Sequence, residues 1–244
     1  MVTGYPVGQL PAERAGVTLN SEILSILSDR GADFTHFVDI SGLAGELNRG
    51  YPGAILIGMV LSRGYVRKIM DTPDYVERMV RSCEIHMDEF HLKEVGTDRL
   101  ADELTDRLAE RGHEAFSQSE GNLTETGLYS EGTRTSPLPH KTIALMAGLG
   151  WIGKNNLLVT REFGSAVSMC TVLTDAPLDT VRRSPAESLC GSCETCIDAC
   201  LPGALKGRAW EAGIPRDEML DVDRCVTCLR CMALCPWTVR YAAG

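Results

Sequence analysis

The sequence has no apolar stretch long enough to cross a membrane. Its longest apolar run, interrupted by one glycine, covers residues 54–61, whereas a membrane-spanning helix needs about 20 residues. The first eleven residues also lack the basic segment and apolar core of a secretory signal. We therefore expect a cytoplasmic protein with no membrane partner.

Positive charge is also scarce. The chain has 24 Lys and Arg against 33 Asp and Glu, which gives a net charge of -9. An overall positive field that would attract polyanions is therefore missing. We expect no nucleic-acid partner.

Cysteine, in contrast, is abundant, with ten in 244 residues. In an unexported chain this favours metal binding or redox chemistry over disulfides, because cytosolic thiols are kept reduced. Eight of the ten form two runs with the spacing C-x2-C-x2-C-x3-C: Cys190, Cys193, Cys196, Cys200 and Cys225, Cys228, Cys231, Cys235.

This duplicated run is typical of bacterial two-cluster ferredoxins, in which the fourth cysteine of each run ligates the other cluster. The runs therefore predict two [4Fe-4S] clusters with crossed ligation. Cys235 would join the first three cysteines of the first run, and Cys200 those of the second. Paired zinc sites are the alternative, but they normally lack a third cysteine at the next step. Cys83 and Cys170 fall outside the runs and are interpreted as buried side chains.

The order of the remaining segments predicts an α+β fold with a mixed sheet. Helices are expected at residues 19–30, 71–92, 97–111 and 139–147, and strands at 33–40, 54–61, 115–116, 156–160 and 165–174. The strand at 54–61 should be buried on both faces. Residues 120–139 are expected to form a long loop, and residues 148–155 a glycine-rich turn. We divide the chain into an α+β domain, residues 1–183, and a small ferredoxin-like domain, residues 184–244.

Several short motifs resemble the epoxyqueuosine reductase family. They are GLGWIGKN at 148–155, Leu157-Leu158, Gly164-Ser165, LTDAPL at 173–178, CGSC at 190–193 and CPW at 235–237. The resemblance covers residues 137–237 and is specific for a superfamily that includes the reductive dehalogenases. It implies a reductase.

The resemblance also implies a corrinoid, because members hold a cobalamin above their clusters. The residues expected to contact it are Gly150, Trp151, Gly153, Lys154, Gly164 and Ser165. Glycines there would let a flat macrocycle approach the backbone. Trp151 and Ile152 as core residues, with glycines that only shape a turn, are an equally weighted alternative.

The chain departs from that family at two places. The family's catalytic aspartate lies three residues before a proline, and aligning that proline with Pro137 places Arg134 at its position. The tRNA-binding extension that follows the family's clusters is also missing after Cys235. We therefore expect a short form that does not act on tRNA.

The polar residues Tyr129, Arg134 and His140 are the candidate catalytic residues, and Lys141 and Lys154 lie near them in the sequence. A reductase needs a proton donor beside its electron source, and Tyr, His or Lys can serve. His140 could equally be a helix cap, and Arg134 an exposed loop residue.

Two functions remain open from the sequence. The first is a reductase that passes electrons from its clusters to a small molecule, with a separate protein as electron donor. The second is a non-catalytic electron carrier. The first domain is far larger than a ferredoxin requires, and this size favours the reductase.

Overall fold

The computed structural model describes residues 18–244 apart from Ala212. The first part of the chain contains the helices α1 (Leu19–Asp29), α2 (Gly45–Asn48), α3 (Arg63–Asp71), α4 (Tyr75–Arg81), α5 (Glu89–Glu110), α6 (Glu120–Glu125) and α7 (His140–Met146). Its strands are β1 (Phe34–Asp39), β2 (Gly53–Val60), β3 (Ala115–Ser117), β4 (Gly150–Ile152), β5 (Leu158–Thr160) and β6 (Val167–Thr174). The cysteine-rich part contains α8 (Thr195–Asp198), α9 (Arg230–Ala233) and α10 (Pro236–Ala243).

The longer helices begin at side-chain caps. The hydroxyl of Thr18 accepts a hydrogen bond from the Ser21 amide at the start of α1, and Ser62 caps α3 in the same way. Asp88 accepts from two backbone amides at the start of α5. Because these caps satisfy N–H groups that have no partner inside the helix, they fix where each helix starts.

The main sheet has the strand order β1-β2-β6-β3, and all of these strand pairs are antiparallel. A parallel bridge between Val38 and Val181 adds a mixed element at the β1 edge. The α+β class with a mixed sheet is therefore confirmed. Strands β4 and β5 form a separate hairpin.

The sheet is covered on both sides. One face packs against α1 and α5, with Leu100, Leu104 and Leu108 of α5 in the core. The other face packs against α7 and the β4–β5 hairpin. Strand β2 is buried along almost its whole length, as predicted.

The single helix expected at residues 71–92 is wrong. Thr72 ends α3 directly before Pro73, and proline disfavours a helical residue before it. Cys83 then adopts a left-handed conformation, with φ 59°, after α4, and a short 3-10 helix, Ile85–Met87, follows. The Asp88 cap starts α5, so the helix expected at 97–111 begins eight residues earlier, at Glu89.

Three further expectations need correction. The loop expected at 120–139 contains α6, which Ser119 caps. The glycine-rich turn contains strand β4. Cys83 is exposed, because it lies at a tight turn between helices, whereas Cys170 is buried as predicted.

The cysteine-rich part packs directly on the rest of the chain. Tyr65, Val66 and Ile69 of α3 share a buried cluster with Met232 of α9 and Ala242 of α10. The domain boundary at residue 183 stays a prediction. Within residues 18–244 without Ala212, no helix has both the length and the apolar character that a membrane crossing requires.

Candidate iron–sulfur centre

The first group of thiols comes from both cysteine runs. Cys190 and Cys193 precede α8, Cys196 lies on α8, and Cys235 is the residue that begins α10. These four cysteines line one cavity of about 150 Å³. The fourth thiol thus comes from the second run, as the crossed pattern predicts.

The second group combines Cys225, Cys228 and Cys231 with Cys200. Burial, followed by the charges of Cys228, of Cys196 from the first group, and of Cys225 and Cys200, raises the pKa of Cys231 to about 12. Cys231 lies on α9, and Cys200 follows α8. The Ala204 amide donates a hydrogen bond to Cys200 Sγ at 3.3 Å.

Unusual backbone conformations bend the second run. Thr227 and Leu229 have φ angles of 51° and 61° on the two sides of Cys228. Non-glycine residues rarely adopt this left-handed region. The chain therefore changes direction on both sides of Cys228, as a short loop that supplies three ligands to one cube requires.

The donor set fits [4Fe-4S] clusters. Each group supplies four cysteines, and thiolates are the ligands of such clusters. In residues 18–211 and 213–244, no three His, Cys, Asp or Glu side chains are placed to hold a single metal ion.

The β4–β5 hairpin forms a wall of the first group. Gly153, Lys154, Asn155 and Val159 line the cavity beside the four cysteines. Trp151 pairs with Val159 across the hairpin and belongs to the same buried cluster as Cys235. The GLGWIGKN motif therefore contacts the first thiol group.

Asn155 ties this wall to both neighbouring segments. Its Nδ2 donates to Ser165 Oγ at 3.2 Å and to the Cys231 carbonyl at 3.3 Å. Its Oδ1 accepts from the Leu157 amide at 3.2 Å. These hydrogen bonds hold the turn after β4 in place.

The structure buries the six residues expected to contact a corrinoid. Trp151 is 2% exposed and packs edge-on against Trp237, with ring centroids 5.1 Å apart. Ile152 lies in the core of the main domain. The alternative in which Trp151 and Ile152 are core residues therefore matches their burial.

Contacts within the protein also explain the glycines. A Cβ at Gly150 would lie 2.0 Å from the Val159 carbonyl oxygen, and one at Gly153 would meet Asn155 and Val159. Gly164, with φ 59°, would place a Cβ 2.3 Å from the Thr238 amide nitrogen. No macrocycle is needed to account for glycine at these positions, and the predicted corrinoid contacts stay predictions.

Ser165 continues the contact between Gly164 and α10. Its amide donates to Thr238 Oγ1 at 2.9 Å, and both residues are buried. This hydrogen bond attaches the start of β6 to the helix that Cys235 begins. Residues 164–165 therefore position a cysteine ligand.

His140 lies on the sheet side of α7. Its Nδ1 forms a hydrogen bond with Thr171 Oγ1 at 3.0 Å. Burial lowers the pKa of His140 to about 4. The imidazole is therefore neutral at pH 7 and is a poor source of a proton there.

Lys141, next along α7, is bonded to the turn that follows β4. Its Nζ donates to the Asn156 carbonyl at 3.1 Å and to Asn156 Oδ1 at 2.8 Å. Burial, with the charge of Arg216 as the second cause, lowers the pKa of Lys141 to about 8.

Arg216 connects the candidate loop to the cysteines. Its guanidinium donates to the carbonyls of Thr133, at 2.7 Å, and Arg134. Burial lowers the pKa of Arg216, while the neighbouring Tyr129 and Cys225 oppose that shift. The sequence assigned no role to Arg216, since neither spacing nor a motif marks it.

The structure thus places Tyr129 and Arg134 beside Arg216 and sets His140 apart from them. Tyr129 is half-buried near Arg216, and the Arg134 side chain is exposed, with a left-handed backbone at φ 49°. His140 faces the sheet instead. Their catalytic roles stay predictions.

Residues 189–239 match the family of 4Fe-4S dicluster domains. Curated relatives are epoxyqueuosine reductases. The one from Listeria monocytogenes is 44% identical over 73 residues, which is 30% of this chain and 19% of that protein. The relative from Synechococcus is 34% identical over 120 residues, covering 44% of this chain and 37% of its own length. This chain thus spans well under half of the length of these relatives.

Solved structures show the same fold over most of the chain. A catabolic reductive dehalogenase has a TM-score of 0.60 at 16% identity and covers 95% of this chain and 34% of its own. A reductive dehalogenase described with a mechanism for B12-dependent dehalogenation has a TM-score of 0.58 at 16% identity. The match covers 96% of this chain and 34% of the dehalogenase. An epoxyqueuosine reductase has a TM-score of 0.50 at 16% identity, and the match covers 91% of this chain and 66% of the reductase. Over part of its length, the chain is similar in sequence to epoxyqueuosine reductases, and its fold resembles that of reductive dehalogenases.

Proposed function

We propose that this protein is an iron–sulfur reductase that passes electrons from two [4Fe-4S] clusters to a small, anionic, non-tRNA substrate. The observation that carries the proposal is the crossed grouping of eight cysteines around two centres. When bound, such clusters supply electrons one at a time. The curated relatives, which are reductases, support the same reaction class.

Two half-buried cations, Arg216 and its neighbour Lys141, are the basis for an anionic substrate. Arg216 is close enough to Cys225 and to Lys141 for their charges to interact. Buried cations favour a ligand of opposite charge, because a nearby anion offsets the cost of removing them from water. The Ser130–Thr135 bridge shapes the loop above them.

Lys141 is the proposed proton donor. Two of its ammonium protons are held by Asn156, and an ammonium has three. With a pKa of about 8, Lys141 is mostly protonated at pH 7 yet releases a proton far more easily than an ordinary lysine. His140, whose pKa is about 4, lacks that proton.

The proposed reaction includes no step through a corrinoid. The six residues expected to contact a corrinoid are all buried, and hydrogen bonds or close contacts within the protein occupy Gly150, Gly164 and Ser165. Gly153 and Lys154 line the cavity of the first thiol group instead.

A substrate other than tRNA is proposed on two grounds. Arg134 occupies the position of the family's catalytic aspartate, and the net charge of -9 opposes binding of a polyanion. A small molecule that carries one or two negative charges meets much less of this repulsion.

The test begins with the protein purified without oxygen. Iron, acid-labile sulfide, zinc and cobalt are measured on one sample, and eight irons and eight sulfides per chain are expected. The reduced protein is then mixed with small organic anions, and reoxidation of the clusters is followed by absorbance. Zinc in place of sulfide would overturn the proposal, and so would failure of every such anion to reoxidise the protein.

Electron transfer to a protein is the second candidate function. Leu201, adjacent to Cys200, is 78% exposed, and Val226, adjacent to Cys225, is 64% exposed. Exposed apolar side chains beside the second thiol group suit a transient contact with a redox partner. A Leu201→Ser/Val226→Ser variant that exchanges electrons more slowly with a redox protein, while no small molecule is reduced, would favour this function.

A further inference from the structure

Lys154 has an unusual place beside the first thiol group. It is 8% exposed and lines the cavity together with Cys190, Cys193, Cys196 and Cys235. Lysine is almost never this deeply buried without a partner, because an ammonium loses its hydration in the interior.

The structure provides Lys154 with no such partner. In the part of the chain that the structure describes, none of the salt bridges includes Lys154. Its Nζ also donates no hydrogen bond there, in contrast to Lys141, which donates twice to Asn156. An anion in the cavity that Lys154 lines would supply the charge that balances it.

The chemistry of the cavity supplies that charge. A [4Fe-4S] cube held by four thiolates is an anion, and one-electron reduction makes it more negative. A fixed cation nearby stabilises the reduced state more than the oxidised state.

We propose that Lys154 is the counter-ion of the first cluster and raises its reduction potential. This inference rests on the proposed function, because it requires a cluster on these four cysteines. Lys154 would act on the cluster through its charge, as a tuning residue and not as a ligand.

The surrounding wall supports this role in two ways. Asn155 is anchored to Ser165 and to the Cys231 carbonyl, so the backbone next to Lys154 is held in place. Trp151 Nε1 is buried and has no hydrogen-bond partner in the described residues. One buried polar atom of the hairpin, Trp151 Nε1, thus remains unsatisfied on the side of the first thiol group.

The test compares three variants of Lys154 with the parent protein. Lys154→Met and Lys154→Gln remove the charge, whereas Lys154→Arg keeps it. Lys206→Met removes the same charge from an exposed position in the cysteine-rich part and serves as the matched control. Iron and sulfide are counted first, and both cluster potentials are then measured by electron paramagnetic resonance during a redox titration.

In the Met and Gln variants, one of the two reduction potentials is expected to fall by at least about 59 mV, which is a tenfold change in the equilibrium constant of a one-electron reduction. Both cluster potentials of the Arg variant and of Lys206→Met should stay near those of the parent protein. Selective loss of four irons from the neutral variants, with retention in the Arg variant, would equally support a charge requirement.

Unchanged potentials in neutral variants that keep eight irons would overturn the inference, and so would an Arg variant that shifts as far as Met. A parent protein without eight irons would instead contradict the proposed function. The two failures are therefore distinguishable.

Discussion

Replacement of Gly164 by alanine tests how the main domain positions a cluster ligand. Gly164 has φ 59°, and a Cβ there would lie 2.3 Å from the Thr238 nitrogen and 2.5 Å from its Cα. A left-handed alanine costs about 1–2 kcal/mol, and overpacking costs about 1–3 kcal/mol more. We expect a loss of about 2–5 kcal/mol, because the clash is with backbone that cannot rotate away.

The Gly164→Ala substitution should also disturb the first thiol group. Thr238 lies on α10, which begins at Cys235. If α10 moves to relieve the clash, Cys235 moves with it. The first cluster should therefore be lost more easily than the second.

Thermal unfolding without oxygen, followed by circular dichroism, measures the effect. In a chain of this size, each kcal/mol corresponds to about 2–4 °C, so Gly164→Ala should unfold at least about 5 °C below the parent. Gly121→Ala is the matched control, since Gly121 lies in α6 and has open space at its Cβ position. A Gly164→Ala protein with the parent's unfolding temperature and full iron content would refute the reasoning.

Three further changes test other parts of the structure. Cys228→Ala should hold about four irons fewer than the parent, whereas Cys83→Ala, at an exposed position outside both thiol groups, should keep all eight. Equal iron contents would contradict a cluster on the second thiol group. If Lys141 donates the proton, turnover should fall as the pH rises through about 8, because the ammonium is then lost. Lys141→Met should lower turnover and should abolish this fall in turnover at high pH. Tyr65→Phe should destabilise the protein by about 1–2 kcal/mol in denaturation, since it removes the hydrogen bonds from Tyr65 Oη to the buried Asp88 at 2.8 and 2.9 Å; an unchanged unfolding free energy would contradict this.

The sequence predicted best what depends on local spacing. The cysteine runs indicate crossed ligation because three ligands two residues apart occupy only one side of a cube. The structure brings Cys235 to the first run as expected. Strand β2 was also recognised, since a continuous apolar run of that length is typical of a strand buried on both faces.

Features that depend on tertiary packing were not predictable. Alternating charge between residues 71 and 92 suggested one helix, but Pro73 and the left-handed Cys83 divide it. Arg216 lies more than 70 residues from Tyr129 and Lys141 in the sequence, and only the fold brings their charges together. Likewise, the contact of Gly164 with Thr238 joins two segments that share no sequence pattern.

The position of the GLGWIGKN motif changes what its glycines signify. A glycine-rich turn in this kind of chain first suggested a surface for a flat cofactor. In the structure, one face of the β4–β5 hairpin packs into the main core through Ile152, while the other meets the first thiol group through Val159. Because the hairpin packs against the main core on one face and the first thiol group on the other, it has little room for side chains at Gly150 and Gly153. A Cβ at either position would collide with Val159. The hairpin therefore separates the sheet domain from the first thiol group. The charge of Lys154 at this position would act strongly on a cluster held there, because the side chain is 8% exposed and little water screens it.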